Sequence, residues 1–326
     1  MRLFRRIAAY ALLIAIIVGS GLLLWQRQAF GDWLVLRNYQ ASPAIAQLAS
    51  DATMTNLAKH LFYINKPQLE ARPAFNQHCT NKTEQTVVLG CYTGDRQGIY
   101  LYSVTDSRLH GVEQVTAAHE MLHQAYDRLS SAERQHINTL VENYYNHGLT
   151  DQTVKAQIAA YRQSEPHDVD NEMHSLFGTE VSSLPPQLEQ YYARYFRDRA
   201  KVVAYNTAYQ TEFTKRKQQV ASYDQQLASM KTQLTAKEQD LMIRQTNVRQ
   251  KKQQLDNENT PDQVDTYNAD ITAYNAMVQT YNDELTATKA LISQYNQLVQ
   301  QRNSIAMQEQ QLQQALDSQL TPVGGQ

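Results

Sequence analysis

Two histidines lie four residues apart in the segment VTAAHEMLHQAYDRL, which begins at Val115, and a glutamate directly follows the first of them. Residues four apart share one face of an α-helix, so His119 and His123 can direct their imidazoles at the same metal ion. Glu120 projects about 100° around the helix from His119, where its carboxylate can reach a water molecule on that ion. The pattern predicts a zinc site with Glu120 as general base.

The residues around the two histidines distinguish two interpretations of this segment. It is either a buried helix that carries a metal site or an ordinary amphipathic helix that carries two histidines by chance. A surface helix is expected to carry charged residues around such positions. The flanking positions here are uncharged, which favours a buried helix: Ala117, Ala118, Met121, Leu122 and Ala125.

The segment resembles the active-site helix of the zincin metallopeptidases. Downstream, DNEMHSLFGTE resembles the glutamate helix of the thermolysin-like members, the gluzincins, in which an Asn-Glu pair precedes a serine and then Phe-Gly-Thr. The resemblance implies a minimal catalytic core with Zn²⁺ as cofactor, Glu172 as third ligand, and a peptide or protein as substrate. The matching positions are Asn171, Glu172, Ser175, Phe177, Gly178 and Thr179.

The match departs from the family pattern in two places. The acidic residue expected one turn after the ligand is replaced by Ser175-Leu176, and Phe-Gly-Thr arrives one residue early. Glu180, two turns further along nearly the same face, is therefore an alternative third ligand, and His174 is a weaker one. The transition-state donor that the resemblance implies has two candidates, Tyr161 and His167, with no motif behind either.

Two segments ahead of the histidines are rich in β-branched and aromatic residues. TVVLGCYTG and GIYLYSVTD are separated by a turn with glycine at both ends, which predicts a β-hairpin. In the zincins an edge strand binds the substrate backbone, and GIYLYSV is the candidate for that strand. Cys79 and Cys91, which flank TNKTEQTVVLG, are predicted to form a disulfide; two free buried thiols are the alternative.

The N-terminus carries the compartment signal. Arginines at positions 2, 5 and 6 precede an uncharged run over residues 7–25 that is long enough to cross a bilayer. We expect a cytoplasmic basic stub over residues 1–6 and a single-pass signal anchor over residues 7–25, with a cleaved signal peptide as the alternative. This predicts a plasma-membrane protein, anchored through residues 7–25, whose bulk is extracytoplasmic.

The last third of the chain carries two rows of apolar residues at seven-residue spacing. The first row runs from Phe213 to Leu255 and the second from Val264 to Val299, with Pro261 in the segment between them. Two such rows predict an antiparallel coiled-coil hairpin over residues 185–316, with its turn near 256–262 and a flexible tail over 317–326. Tyr267, Tyr274 and Tyr281 follow the second row and are interpreted as packing residues. The hairpin could dock a protein partner.

The predicted fold class is therefore α+β: a transmembrane helix, a small zincin-like domain over residues 26–184, and the helical hairpin. Ser42 and Pro43 predict the start of a helix that runs to about Phe62. A net charge of −2 gives no reason to expect nucleic-acid binding. Two functions remain open. The first is a membrane-anchored, extracytoplasmic zinc metallopeptidase, and the second is a non-catalytic, membrane-anchored coiled-coil adaptor with a degenerate zincin domain.

Overall fold

The computed structural model describes residues 27–80, 88–257 and 264–319. The chain forms two compact units. The first comprises the described residues up to Thr211 together with those from Leu312 onward, and the second runs from Glu212 to Gln311. All the residues predicted to act in the zinc site belong to the first unit.

Short α-helices make up most of the first unit. Their bounds are Arg27–Leu36 (α1), Pro43–Asp51 (α2), Asn56–Tyr63 (α3), Arg72–His78 (α4), Val112–Asp127 (α5), Ser131–His147 (α6), Gln152–Ser164 (α7), Val169–Thr179 (α8) and Pro186–Tyr192 (α9). A single 3₁₀ turn, Ser107–Leu109, precedes α5. Two long helices, Arg199–Asn257 (α10) and Val264–Leu316 (α11), have one end in the first unit and continue into the second.

Polar side chains at the N-caps fix where several of these helices begin. Ser42 accepts a hydrogen bond from the Ile45 N–H directly before Pro43. Ser130 and Glu133 form a reciprocal capping box at the start of α6, and Asp151 accepts from two backbone N–H groups at the start of α7. Such caps satisfy N–H groups that have no partner inside the helix.

The single helix predicted from Pro43 to about Phe62 is wrong, because the chain breaks between α2 and α3. Thr53 adopts a left-handed backbone conformation with φ of 53°, and Thr55 then caps α3 by accepting from the Ala58 N–H. The Thr55 hydroxyl also donates to the Arg194 carbonyl at 2.7 Å. Local capping and this distant bond outweigh the helical periodicity of the segment.

Three short strands form the sheet: Gln68–Glu70 (β1), Gly90–Tyr92 (β2) and Ile99–Tyr102 (β3). Strands β2 and β3 pair antiparallel, as the predicted hairpin requires. Strand β1 pairs parallel with the other side of β3, so the order is β1-β3-β2. The expectation that GIYLYSV is a free edge strand is therefore wrong, because β3 lies at the centre with partners on both sides.

The two faces of β3 pack against different parts of the first unit. Ile99 and Leu101 are fully buried in the main core, which also contains the apolar residues of α5 and α8. Tyr102 packs on the opposite face with Phe75 and Val88. A side-chain period of two produces this division.

A disulfide links the end of α4 to strand β2. Cys79 and Cys91 are bonded, with their Cα atoms 5.8 Å apart. Ser318 is buried, and its hydroxyl donates to the Val88 carbonyl at 2.7 Å, while Asn76 donates to the Ser318 carbonyl. The first residues of the predicted flexible tail are therefore held against the segment that leads into β2; residues 320–326 lie outside the described residues.

The second unit consists of α10 and α11 running antiparallel. Lys237 pairs with Glu284, and Lys251 pairs with Asp270 at 2.9 Å. From the first pair to the second, the chain advances by two heptads along α10 and goes back by two heptads along α11. The two pairs therefore fix the antiparallel register of the helices. Most residues of the two predicted apolar rows are partly buried, Leu255 is buried, and Val264 and Ile292 are exposed. The predicted turn falls largely in residues 258–263, outside the described residues.

The membrane anchor predicted over residues 7–25 falls outside the described residues. Among the residues that the structure does describe, no helix combines the length and apolarity needed to cross a bilayer. The described residues therefore give no support to the predicted single-pass anchor or to the plasma-membrane localisation that depended on it. The predicted fold class is corrected accordingly: the described chain is mostly helical, with one small three-stranded sheet and a long helix pair.

Candidate metal centre

Helix α5 carries both histidines on a face that is buried inside the first unit. Ala117, Ala118, Met121 and Leu122 are fully buried around them, as their uncharged character predicts. The His119 and His123 rings lie one helical turn apart, with centroids separated by 4.8 Å. Their side chains retain 14% and 9% of their exposure, so the site is nearly closed to solvent but still reachable.

Helix α8 brings Glu172 to the two histidines. One carboxylate oxygen lies 3.6 Å from Nε2 of His119, and the other lies 3.6 Å from Nε2 of His123. Gly178 permits this approach, because a Cβ built there would lie only 2.4 Å from a methyl carbon of Leu122 on α5. The glycine of the Phe-Gly-Thr segment thus lets the two helices pack closely enough to juxtapose their polar residues.

A hydrogen-bond chain fixes the orientation of His123. Its Nδ1 donates to Oδ1 of Asn171 at 3.0 Å, and the Asn171 amide donates to both carboxylate oxygens of Asp168. Because that amide donates to Asp168, its carbonyl oxygen is the acceptor, and Nδ1 of His123 carries the hydrogen. Nε2 is then directed toward Glu172. Ser175, in place of the family's acidic residue, is a more distant neighbour of Nδ1 at 3.4 Å.

Burial and charge act in opposite directions on these groups. Burial lowers the pKa of His119. Burial also opposes the charged form of His123, but the carboxylates of Glu172 and Glu120 raise the pKa of His123 to about 9. For Glu172, burial favours the neutral acid, yet the two histidines hold its pKa below the usual 4.5. The cluster is an environment in which carboxylates stabilise positive charge.

Glu120 lies between α5 and strand β2. It is buried, with 6% of its surface exposed. A Cβ built on Gly90 would lie 2.7 Å from Oε1 of Glu120 and 2.6 Å from a methyl group of Thr116. Gly90 therefore leaves the space that the Glu120 carboxylate occupies, and no signal in the sequence marked it.

Strand β2, rather than β3, is the edge of the sheet beside the histidines. The ring of Tyr92 lies parallel to that of His123, with centroids 6.4 Å apart. The Tyr92 hydroxyl donates to Asp127 at the end of α5 at 2.7 Å. Gly90 and Tyr92, two residues apart, thus present the same face of β2 to the site helix.

The two alternative third ligands lie elsewhere. His174 is fully buried, with Nε2 2.9 Å from the Tyr191 hydroxyl, and burial lowers its pKa to about 3. Glu180 follows the end of α8, where burial raises its pKa to about 7 and a hydrogen bond from Gln157 partly offsets this rise. Among the described residues, the structure groups Glu172 with His119 and His123, and neither alternative joins them.

The two candidate donors for the transition state have different surroundings. Tyr161 of α7 forms a hydrogen bond with Glu172, which contributes to the lowered pKa of that carboxyl. His167 is exposed and borders a surface hollow with Glu142, Arg162 and Asp170. Of the two, only Tyr161 is joined to a residue of the cluster by the contacts described.

The donor set suits a zinc ion. Two atoms that each bind a tetrahedral zinc at about 2.1 Å are about 3.4 Å apart, close to the 3.6 Å between Glu172 and each histidine. The ligand atoms of all three residues lie within 4.8 Å of one another. Two imidazoles and one carboxylate leave a fourth position open, as in catalytic rather than structural zinc sites.

Sequence reasoning missed the residues that support these ligands. Asn171 belongs to the Asn-Glu pair of the glutamate helix, and its position directly before Glu172 is the signal that could have identified it as a support. Asp168 directly precedes α8, where helix capping is the ordinary role of an aspartate, yet its side chain makes no capping hydrogen bond.

The chain was compared with protein-family models, with characterised proteins and with solved structures, and none of them matches it. The resemblance to gluzincins thus depends on the two motifs alone.

Proposed function

We propose that this chain is a zinc-dependent metallopeptidase. The observation that carries the proposal is the convergence of His119, His123 and Glu172 beside a buried Glu120. Nothing in a purely structural helix pair requires two imidazoles and a carboxylate to meet within ligand distance of one another. A bound zinc ion would supply Lewis acidity, which lowers the pKa of water and polarises a carbonyl group.

The residues of the chain have separable roles in this reaction. His119, His123 and Glu172 hold the ion, and Asn171 keeps His123 in the tautomer that leaves Nε2 available. Glu120 accepts a proton from the attacking water and returns it to the leaving amine. Tyr161 supports Glu172 and is the candidate donor to charge that develops on the carbonyl oxygen.

Strand β2 is the candidate site for the substrate backbone. Among the described residues it pairs only with β3, so its other side can accept an extended peptide by strand addition. Gly90 and Tyr92 would place such a peptide alongside Glu120 and His123. This assigns to β2 the role that the sequence predicted for GIYLYSV.

Metal analysis and one substitution test the proposal. The full chain is expected to contain one zinc ion and to hydrolyse an unstructured protein such as casein. Glu120→Gln should retain the zinc and lose at least about 100-fold in rate, the usual contribution of a general base. Glu142→Gln, on the surface of α6 beside Arg162, serves as the matched control and should keep full activity.

The adaptor function gives a different result in the same experiment. It is favoured by the size of the helical hairpin and by Ser175 in place of the family's acidic residue. A chain that binds zinc but cleaves nothing, in wild type and variant alike, would support an adaptor with a metal-braced domain. A chain that binds no zinc would contradict the metallopeptidase proposal directly.

A further inference from the structure

A second group of possible metal ligands adjoins the first. Glu165, Asp168 and Glu172 each offer a carboxylate oxygen, and these three atoms lie within 4.8 Å of one another. Glu165 directly follows α7, Asp168 directly precedes α8, and Glu172 lies in the first turn of α8. The connection between two helices thus collects three acids at one point.

Two oxygens in this group are sealed from solvent without a hydrogen-bond partner. The Glu172 side chain retains only 6% of its exposure, and its Oε2, which lies 3.6 Å from Nε2 of His119, makes no hydrogen bond. Oε1 of Glu165 is also buried and without a partner. A buried carboxylate oxygen that lacks a donor carries a desolvation cost, which a bound cation would offset.

Helix capping does not account for the group. Acids are favoured near a helix N-terminus, and Asp168 occupies the cap position of α8. However, its side chain makes no hydrogen bond to the first N–H groups of that helix and instead accepts from the Asn171 side chain.

The acidic residues of the two groups carry more negative charge than one zinc ion would neutralise. A zinc ion held by Glu172 beside Glu120 would be balanced by those two carboxylates. Among the ion pairs of the described residues, none joins Glu165 or Asp168 to a lysine or arginine. Two negative charges are then uncompensated, which is the charge that one further divalent cation neutralises.

We propose that Glu165, Asp168 and Glu172 bind a second divalent cation, with Glu172 shared between the two sites. The donor set contains oxygen alone, which selects hard cations such as Ca²⁺ or Mn²⁺ rather than zinc. Asp168 is exposed and gives the cation a path from solvent. The inference depends on the proposed function only in treating Glu172 as a zinc ligand as well.

Metal titration of the zinc-loaded full chain tests this site. After removal of loosely bound metal, Ca²⁺ alone is titrated by calorimetry and Mn²⁺ alone by electron paramagnetic resonance. One cation of each kind should bind per chain, with Kd below about 1 mM. Glu165→Gln should weaken this binding at least about tenfold while zinc content is unchanged.

Three comparisons decide the outcome. Glu165→Ala provides the same test if Glu165→Gln does not fold, and Glu142→Gln, an acid of the neighbouring surface, should bind the second cation like wild type. Absence of Ca²⁺ and Mn²⁺ binding in wild type, or equal binding in wild type and the Glu165 variants, would overturn the proposal. Zinc content is measured separately, so a chain that binds Ca²⁺ but no zinc would refute the proposed function alone.

Discussion

At the scale of single residues, the proposed zinc site depends on groups that would not touch the ion. Asn171 accepts from Nδ1 of His123 at 3.0 Å and is itself held by Asp168. Removing such a support commonly weakens metal binding 10- to 100-fold. We expect Asn171→Ala to weaken zinc binding by about that factor, measured by competition with a chromophoric chelator.

The conservative variant gives this prediction its control. Asn171→Asp combined with Asp168→Asn retains an oxygen acceptor for Nδ1 of His123 and an amide–carboxylate pair between the two positions, so it should bind zinc within about threefold of wild type. Equal zinc affinities for the Ala variant and wild type would show that Asn171 has no part in orienting the histidine.

Glu180 lies outside the group formed by His119, His123 and Glu172, but its protonation should affect how folding stability depends on pH. Burial raises its pKa from 4.5 to about 7. The unfolded chain ionises this group near 4.5, whereas the folded chain keeps the proton, so folding stability falls as pH rises through that interval. The shift sets an upper bound of about 3 kcal/mol, and partial exposure of the residue reduces it to about 1–2 kcal/mol.

Glu180→Gln removes the ionisation and should therefore stabilise the protein selectively at high pH. Relative to wild type, we expect its Tm to rise by about 4 °C at pH 8 and to change little at pH 5. Thermal melts at the two pH values measure this. An equal difference at both would mean that the effect does not come from the Glu180 proton.

At this scale, the sequence alone identifies the proposed ligands but not the residues that support them. Helical spacing places His119 and His123 on one face without any knowledge of the fold. Glu172 followed from a resemblance, and its choice over Glu180 needed the packing of α8 on α5. The space left by Gly90 depends on how β2 meets α5, which no local pattern encodes.

At the scale of elements, strand β2 packs against Glu120, the proposed general base. Gly90→Ala would place a carbon 2.7 Å from Oε1 of Glu120 and displace that carboxylate. Small misplacement of a catalytic group can cost on the order of 100-fold in rate. We expect kcat to fall at least about tenfold while zinc affinity stays within about threefold of wild type, measured by steady-state kinetics and chelator competition.

Another crowded glycine separates this effect from general strain. Gly148→Ala would introduce a carbon 2.6 Å from the Tyr144 ring at the end of α6, away from Glu120. It should alter stability without lowering kcat in the zinc-loaded protein. A Gly90 variant with unchanged kcat would remove β2 from the positioning of the base.

The helices and strands also show which structural features local sequence patterns can predict and which they cannot. The capping residues at the starts of α6 and α7 are local signals, because each bonds only to the first turn of its own helix. The parallel pairing of β1 with β3 joins segments about thirty residues apart, and β1 has only three residues, between Pro67 and the helix α4 that contains Pro73. Because of that pairing, β3 lies at the centre of the sheet and β2 at its edge. The strand proposed to bind substrate is therefore β2, whereas the sequence predicted GIYLYSV.

At the scale of the whole molecule, the ligands are confined to one of the two compact units. The proposed zinc residues lie in the first unit, and none lies between Glu212 and Gln311. A ligand that binds only the folded state stabilises the part that forms its site, by about 2.7 kcal/mol when it is present at 100 times its Kd. Zinc should therefore stabilise the first unit and leave the helical hairpin unchanged.

Calorimetry combined with hydrogen exchange measures whether zinc stabilises the first unit alone. Chelation is expected to lower one transition by about 5–10 °C and leave the other in place. Exchange should increase in peptides from α5 and α8 but not in those from residues 212–257 or 264–311. His119→Ala combined with His123→Ala should show no response to zinc. Equal shifts of both transitions, or a zinc response that persists in the double variant, would place the stabilising metal outside the site formed by α5 and α8.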